Sequence, residues 1–166
     1  MILNERIAVC PGSFDPITLG HLDIISRASS MFDKLIVVVM NNMNKSGCFS
    51  PEERKELILK TTCGLHNVEV DIYDGLLAEY AKSKNACAII KGLRAMSDFE
   101  YEFQMALTNK KLNPNVETLF LTTSSENMYL SSSMVKQIAS MGGDISSFVP
   151  AEIHDDIIKR ISSKKD

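Results

Sequence analysis

The sequence lacks an excess of positive charge. Its formal net charge is −3 and its isoelectric point is about 5.6. A net acidic chain has no global basic field for a nucleic-acid backbone, so we predict no nucleic-acid partner. Any phosphate ligand must therefore be held by a local cluster of donors.

Long apolar runs are also lacking, since none approaches the roughly 20 residues that a membrane-spanning helix needs. The start, MILNERIAVCPG, does not show the basic region followed by a long apolar stretch that is typical of a signal peptide. We therefore expect a cytoplasmic protein with no membrane partner.

Closely spaced cysteine pairs are absent as well. The four cysteines are Cys10, Cys48, Cys63 and Cys87, and no two of them have the C-x-x-C spacing of a zinc or redox site. Cys10 and Cys87 lie in or beside apolar runs that we expect to be buried strands. The simplest interpretation is four reduced thiols without a chemical role.

Two common phosphate-binding fingerprints, G-x-x-x-x-G-K-[ST] and G-x-G-x-x-G, do not occur. In their place, PGSFDPITLGH (11–21) joins an apolar run to a helical pattern. Gly12 and Gly20 allow close backbone approach, and His21 lies at the start of the helix, where an anion is favoured. By itself this signal is weak, because it also fits a tight turn and a helix cap.

Apolar runs and helical patterns alternate along the whole chain. This alternation predicts the α/β class: a single doubly wound domain, residues 1–166, with a five-stranded parallel sheet. The predicted strands are 6–10, 34–40, 67–73, 86–92 and 116–122, and the predicted helices are 21–32, 50–62, 76–84, 97–112, 131–140 and 150–163. In the helix 97–112, one apolar stripe contains Phe99, Phe103, Ala106 and Leu107.

Ligands of such sheets bind beyond the carboxyl ends of the strands, where the strand order switches. Cationic side chains follow four of the five predicted strands: His21, Lys45, Lys91, Arg94 and Lys136. Ser131, Ser132 and Ser133 open another helix there, although serines in that position are often plain N-caps. A local cationic pocket in an acidic chain indicates a polyphosphate substrate, and nucleotidyl transfer needs mainly positioning and charge stabilisation.

Three stretches carry a resemblance to a known family. TLGH (18–21) resembles the T/H-x-G-H motif of the nucleotidyltransferase superfamily, and SSSMVK (131–136) resembles its second signature. The longer strings PGSFDPITLGH, KGLRAMSDFEYEFQMA and YLSSSMVKQIA are similar to those of the phosphopantetheine adenylyltransferase family. The similarity covers nearly the whole chain in order and spacing.

The resemblance implies a Rossmann-like nucleotidyltransferase fold and a reaction of coenzyme A synthesis. The phosphate of 4′-phosphopantetheine attacks the α-phosphate of ATP, which gives dephospho-coenzyme A and pyrophosphate without a covalent enzyme intermediate. His21 would be the catalytic residue that stabilises the transition state. The implied ATP-binding residues are Ser13, Phe14, His21, Gly92, Leu93, Arg94, Glu102, Asn127, Met128, Tyr129, Leu130, Ser131, Ser132 and Ser133. The implied 4′-phosphopantetheine-binding residues are Ser13, Lys45, Leu77 and Lys91.

The resemblance further implies Mg²⁺ accompanying ATP, no metal site made by the protein itself, and a homohexamer. Two positions depart from the family pattern. Ser13 stands where threonine is common, which keeps the hydroxyl. Lys91 stands where arginine is usual, which keeps the charge and loses the planar fork.

Other functions remain open on the residues. A nucleotidyltransferase acting on nicotinate mononucleotide or glycerol 3-phosphate would share T-x-G-H. A flavodoxin-like or other non-catalytic nucleotide-binding protein would need the donors but no histidine aimed at a transition state. A purely structural α/β domain would leave the cationic strand ends unexplained.

Overall fold

Five parallel strands form the centre of the molecule. The computed structural model describes residues 5–40, 47–94 and 96–163 of the chain. The strands are β1 (Ile7–Gly12), β2 (Lys34–Met40), β3 (Val68–Tyr73), β4 (Ala88–Leu93) and β5 (Glu117–Thr122). Their order in the sheet is β3-β2-β1-β4-β5. The predicted α/β fold class is thereby confirmed.

Helices connect the strands and cover both faces of the sheet. They are α1 (Leu19–Ser29), α2 (Pro51–Thr61), α3 (Leu77–Ser83), α4 (Met96–Leu112), α5 (Ser132–Ser140) and α6 (His154–Ser162), with short 3₁₀ turns at Ser125–Asn127 and Ala151–Ile153. The start of α2 shows why these bounds arise. Ser50 accepts a hydrogen bond from the Glu53 N–H, the Glu53 carboxylate accepts one from the Ser50 N–H, and Pro51 occupies the first helical position.

Alternate residues of the central strands point to opposite faces, and each face carries its own apolar cluster. On one face Ala8 and Val37 pack with residues of α1, α2, α5 and α6. On the other face Val9 and Val38 pack with Tyr80 and Ala81 of α3. Burial on both faces explains the continuous apolar runs of β1 and β2.

The strand order places a switch point between β1 and β4. From β1 the chain moves outward through β2 and β3, and then returns to the other side of β1 with β4. The loops that leave the carboxyl ends of β1 and β4 therefore diverge, and a crevice opens between them. This is the place where the sequence predicted a ligand site.

Three sequence expectations need correction. The first helix begins at Leu19, with Thr18 as its N-cap, so His21 lies inside its first turn. Cys87 is exposed, because it precedes β4 at the amino end of the sheet. The apolar stripe of α4 is largely uncovered, with Phe103 46% and Leu107 56% exposed, because this helix covers only the edge of the sheet.

Within the ranges that the structure describes, no helix is long and apolar enough to cross a membrane. The expectation of one domain over residues 1–166 stays a prediction.

Candidate active site

The crevice at the switch point is a cavity of about 620 Å³. We call it the cleft. Its lining comes from the loop after β1, the start of α1, the end of β4, the middle of α4 and the start of α5. The lining residues are Cys10, Pro11, Gly12, Ser13, Phe14, Thr18, Gly20, His21, Ile24, Ile90, Lys91, Gly92, Arg94, Tyr101, Glu102, Thr123, Leu130, Ser131, Ser132 and Ser133.

His21 is fixed by a capping box at the start of α1. The Thr18 N–H donates to His21 Nδ1 at 3.0 Å, and the Thr18 hydroxyl oxygen accepts from the His21 N–H at 3.4 Å and lies 3.0 Å from Nδ1. A backbone N–H can only donate, so Nδ1 is an acceptor. The neutral ring therefore carries its hydrogen on Nε2.

The surroundings keep the His21 ring uncharged. Removal from water and, to a lesser degree, the nearby positive charge of Arg94 together lower the pKa of His21 to about 4. The Phe14 ring packs edge-on against the imidazole, with 5.2 Å between ring centroids. Around pH 7 the cleft thus contains a neutral imidazole with one N–H donor.

The backbone of the β1 loop is strained where it passes the cleft. Phe14 has φ of 45°, in the left-handed region that a bulky residue rarely adopts, and its side chain is buried. Gly12 is required beside it, since a Cβ at position 12 would lie 2.8 Å from the Phe14 ring. The glycine thus serves the packing of Phe14, and through it the packing around His21.

Lys91 and Glu102 form an ion pair across the cleft. The Lys91 ammonium lies 3.0 Å from Glu102 Oε2 and donates to Oε1 at 3.3 Å, and both side chains are about one-fifth exposed. The two residues come from β4 and α4. The sequence assigned them to different substrates, and the structure brings them into direct contact.

Arg94 connects the β4 loop to the serine-rich segment. Its guanidinium donates to the Leu130 carbonyl at 3.0 Å. At the next residue Ser131 caps α5, accepting from the Met134 N–H at 3.1 Å. Ser131, Ser132 and Ser133 line the cleft, so the N-terminus of α5 lies at it, and helix N-termini are common phosphate-binding places.

Cys10 lines the cleft, but its thiol is unreactive. Burial raises the pKa of its thiol to about 12, although the charge of Lys91 acts in the opposite direction. A thiol that stays protonated is a poor nucleophile. All four cysteines of the chain are free thiols, as the sequence predicted.

Most of the predicted site residues meet in the cleft. Those that line it are Ser13, Phe14, His21, Lys91, Gly92, Arg94, Glu102, Leu130, Ser131, Ser132 and Ser133. Their roles toward a substrate stay predictions. Lys45 lies outside the described residues.

Five predicted site residues do not belong to the lining. Leu93 ends β4, and Leu77 packs beneath the sheet against the cluster of Val9 and Tyr80. Asn127 donates to the Ser124 hydroxyl, while Met128 and Tyr129 are exposed and outside the lining.

Sequence reasoning missed several members of the lining. Thr18 was visible as the first residue of TLGH, and its capping position required only the helix start to be placed two residues earlier. Thr123 directly follows β5, where strand-end reasoning could have found it. Tyr101 gave no signal, because it belongs to the middle of a helix whose rotation only the tertiary structure determines.

Among the residues that the structure describes, no three His, Cys, Asp or Glu side chains gather closely enough to bind a metal ion. The carboxylate that lines the described cleft, Glu102, is already paired with Lys91. These side chains do not fit a protein-built metal centre, so we derive no step through one.

Comparison with known proteins agrees with this geometry. Residues 9–138 match the cytidylyltransferase-like family model. In solved structures, a putative nicotinate-nucleotide adenylyltransferase from Vibrio parahaemolyticus superposes with a TM-score of 0.68 at 18% identity, covering 93% of this chain and 99% of that one. The class of protein that fold and site define is therefore a nucleotidyltransferase.

Closer relatives narrow the class. The phosphopantetheine adenylyltransferase of Caldanaerobacter subterraneus subsp. tengcongensis is 63% identical over 87% of this chain and 91% of its own length. That of Clostridium tetani is 58% identical over 96% and 99%. The chain belongs to the phosphopantetheine adenylyltransferase family, which confirms the predicted family and enzyme class.

Proposed function

We propose that the chain transfers the adenylyl group of ATP to the phosphate of 4′-phosphopantetheine, giving dephospho-coenzyme A and pyrophosphate in coenzyme A synthesis. The observation that carries the proposal is the meeting of His21, Lys91, Arg94 and the α5 N-terminus in one cleft. The names of relatives with 56–63% identity supply the acceptor.

ATP would lie with its phosphates between the N-termini of α1 and α5. The positive ends of both helix dipoles favour the triphosphate there. Arg94 adds a cation and holds the serine-rich segment through Leu130. Ser13 and Phe14 would contact the nucleotide through the loop after β1.

The acceptor phosphate would be held by Lys91, with Ser13 touching both substrates. Lys91 comes from β4 and lines the cleft together with Ser13. Lys45 and Leu77 complete the proposed acceptor set on the basis of the family resemblance. Glu102, the present partner of Lys91, would then exchange that contact for one with ATP.

The reaction would be an in-line displacement at the α-phosphorus. An oxygen of the acceptor phosphate forms the new P–O bond, and the bond to the bridging oxygen breaks and releases pyrophosphate. The acceptor is already an anion, so no general base is needed. His21 Nε2–H would donate to an α-phosphate oxygen, where charge develops in the transition state, and such a donor typically contributes about 2.7–4 kcal/mol.

Mg²⁺ would enter as part of the ATP complex. Magnesium in nucleotide sites is commonly held by phosphate oxygens and water with few protein ligands. This mode suits a cleft whose described lining offers one carboxylate. The protein would also work in a reducing compartment such as the cytoplasm, which fits its four free cysteines.

We also propose that the chain forms a homohexamer. The uncovered stripe of α4, with Phe103 and Leu107, adjoins the edge strand β5, where Leu119 is 38% exposed. An apolar surface of this extent marks an interface with another protein surface. Light scattering coupled to size-exclusion chromatography tests this, and a monomer at micromolar concentration would reject it.

The activity is tested by pyrophosphate release with Mg²⁺ and ATP. The acceptors are 4′-phosphopantetheine, nicotinate mononucleotide and glycerol 3-phosphate, each with the wild type and with His21→Ala. We expect release only with 4′-phosphopantetheine, and its near-complete loss in the variant. Release with a different acceptor would overturn the substrate, and no release with any acceptor would overturn the activity.

A further inference from the structure

Lys136 is a cation that the sequence placed near the phosphate pocket, but the structure gives it another partner. Its ammonium donates to Asp15 Oδ2 at 2.8 Å. Lys136 belongs to the second turn of α5, and Asp15 belongs to the loop after β1. The contact therefore joins the PGSFDPITLGH loop to the SSSMVK signature across 121 positions of sequence.

Asp15 is a buried carboxylate that contacts groups from two other parts of the chain. Its side chain is 10% exposed and accepts from the N–H groups of Cys48 and Phe49, each at 2.9 Å. Burial by itself would raise the pKa of Asp15, but the hydrogen bonds from Lys136, Cys48 and Phe49 outweigh it and keep the pKa below its usual value. Asp15 therefore stays ionised at neutral pH.

Arg54 connects the buried Asp15 to Ser13, which lies in the part of the β1 loop that lines the cleft. Its Nε lies 3.4 Å from Asp15 and donates to the Phe49 carbonyl at 2.8 Å. Its terminal nitrogen donates to the Ser13 carbonyl at 3.3 Å. Arg54 is 7% exposed, so this arrangement is held inside the protein.

A second contact joins α5 to the loop after β1, on the side of the cleft. The Ser132 hydroxyl donates to the Pro16 carbonyl at 2.7 Å. Ser132 and Lys136 are four residues apart, so they lie on the same face of α5. Two contacts on one face fix both the distance and the rotation of α5 relative to the loop that leads to His21.

We propose that Lys136 and Asp15 are a positioning pair, which holds the N-terminus of α5 in register with the β1 loop so that the ATP phosphates face His21. This inference rests on the proposed function. Lys136 acts through Asp15 and does not bind a phosphate. Misplacement of a reacting group by about 1 Å can cost on the order of 10²-fold in rate, so a tether of this kind affects turnover.

The test is a double-mutant cycle with Lys136→Met, Asp15→Asn and the double variant. For each protein, kcat and the KM for ATP are measured by pyrophosphate release at saturating 4′-phosphopantetheine. We expect Lys136→Met to lower kcat/KM for ATP by about ten- to a hundredfold, with part of the loss in kcat. The double variant should lose no more than the more damaged single variant, because the two residues act as one unit.

A direct phosphate ligand would give a different pattern. Removing it would raise the KM for ATP with kcat unchanged, and the loss would add to that of Asp15→Asn. It would also flatten the dependence of the KM on salt concentration, because a screened charge contact would be gone. Any of these three results would overturn the proposal. The salt series and the kcat measurement need only Lys136→Met, so they decide the question even if Asp15→Asn does not fold.

The matched control is Lys60→Met. Lys60 also pairs with an aspartate of another helix, Asp156, at 2.7 Å, but far from the cleft. We expect it to leave kcat and both KM values unchanged. A wild type without activity would reject the proposed function, whereas an active wild type with an equally active Lys136→Met would reject only this inference.

Discussion

Two charged depressions in the described part of the chain differ in kind, and one of the two has the features of a substrate site. The cleft holds about 620 Å³ between the ends of β1 and β4. The other, which we call the groove, holds about 330 Å³ between the sides of α2 and α6. In the groove, Lys60 pairs with Asp156 and Arg160 pairs with Glu53, so the charges of the two helices neutralise one another.

The difference teaches that charged side chains do not by themselves make a phosphate site. The cleft lies where two helices begin and two parallel strands end, so the positive ends of two helix dipoles converge there. The groove is bounded by helix sides, whose backbone groups are already bonded within each helix. The cleft therefore differs from the groove in the polarised helix ends that meet there. Side chains such as His21 and Arg94 add to this difference.

The largest expected effect is the loss of catalysis in His21→Ala. The substitution removes an N–H donor that acts on charge formed in the transition state, so kcat should fall by about 10²–10³-fold. ATP binding, followed by isothermal titration calorimetry, should stay within a few-fold of the wild type. The control substitution in the groove, Lys60→Met, should change neither kcat nor the affinity for ATP.

Weakened ATP binding at unchanged kcat would contradict this prediction. It would show that His21 binds the ground state and the transition state equally. The cleft would then differ from the groove in ligand affinity alone.

The fold was largely predictable because its strands are buried on both faces. β2 is a continuous apolar run, and the Ser50–Glu53 box marks the start of α2, so local patterns were sufficient there. The uncovered face of α4 was not predictable. An apolar stripe such as that of Phe103 and Leu107 is the same in sequence whether this chain or another one covers it.

The residues that meet in the site were predictable from the sequence. The pairs that they form with one another were not. Strand-end reasoning placed His21, Lys91 and Arg94 together, since the carboxyl ends of parallel strands lie at one edge of the sheet. It could not assign Lys136 to Asp15, because that contact depends on the rotation of α5. It also could not assign the tautomer of His21, which the Thr18 N–H determines.

The next largest effect is on stability at acidic pH, where we expect His21 to lower the free energy of unfolding. Its pKa is about 4 in the folded protein and about 6.5 in an unfolded chain. Below about pH 6.5 the unfolded chain therefore binds a proton that the folded chain does not, so the free energy of unfolding falls as the pH falls from 6.5 to 4. After allowance for partial exposure, this contribution is on the order of 2 kcal/mol.

The comparison of wild type with His21→Asn isolates this contribution. Urea unfolding at pH 7, 5.5 and 4.5 should show a shallower fall for the variant, while other acid-sensitive groups such as Asp15 act equally in both. Parallel curves would mean that the imidazole is not held neutral by its surroundings. A substitution of His154, which begins α6 and does not line the cleft, serves as the control.

A smaller effect separates two serine helix caps, of which one lies at the cleft. Ser131 caps α5 at the cleft and Ser50 caps α2 away from its lining, with cap distances of 3.1 and 3.2 Å. Replacing either with alanine should cost about 1 kcal/mol of unfolding free energy. Only Ser131→Ala should also raise the KM for ATP, because only that cap faces the proposed phosphates.

Thermal denaturation and initial-rate kinetics on the two cap variants decide this point. An equal and small change in Tm with the KM raised in one variant alone would support a substrate role for the α5 N-terminus. If both variants kept the wild-type KM, Ser131 would be a helix cap without further function.

The smallest effect should come from Lys91→Arg. An arginine can bind a phosphate with two parallel N–H donors, whereas a lysine acts as a point charge. The same fork also suits the Glu102 carboxylate, which lies 3.0 Å from the Lys91 ammonium and competes for it. The gain in acceptor binding is therefore partly offset, and the KM for 4′-phosphopantetheine should fall only about two- to fivefold, less than 1.4 kcal/mol. Lys60→Arg in the groove should leave that KM unchanged. An unchanged KM in Lys91→Arg would mean that the acceptor phosphate does not contact position 91, and that the Lys91–Glu102 pair is a structural link between β4 and α4, as the pairs of the groove are between α2 and α6.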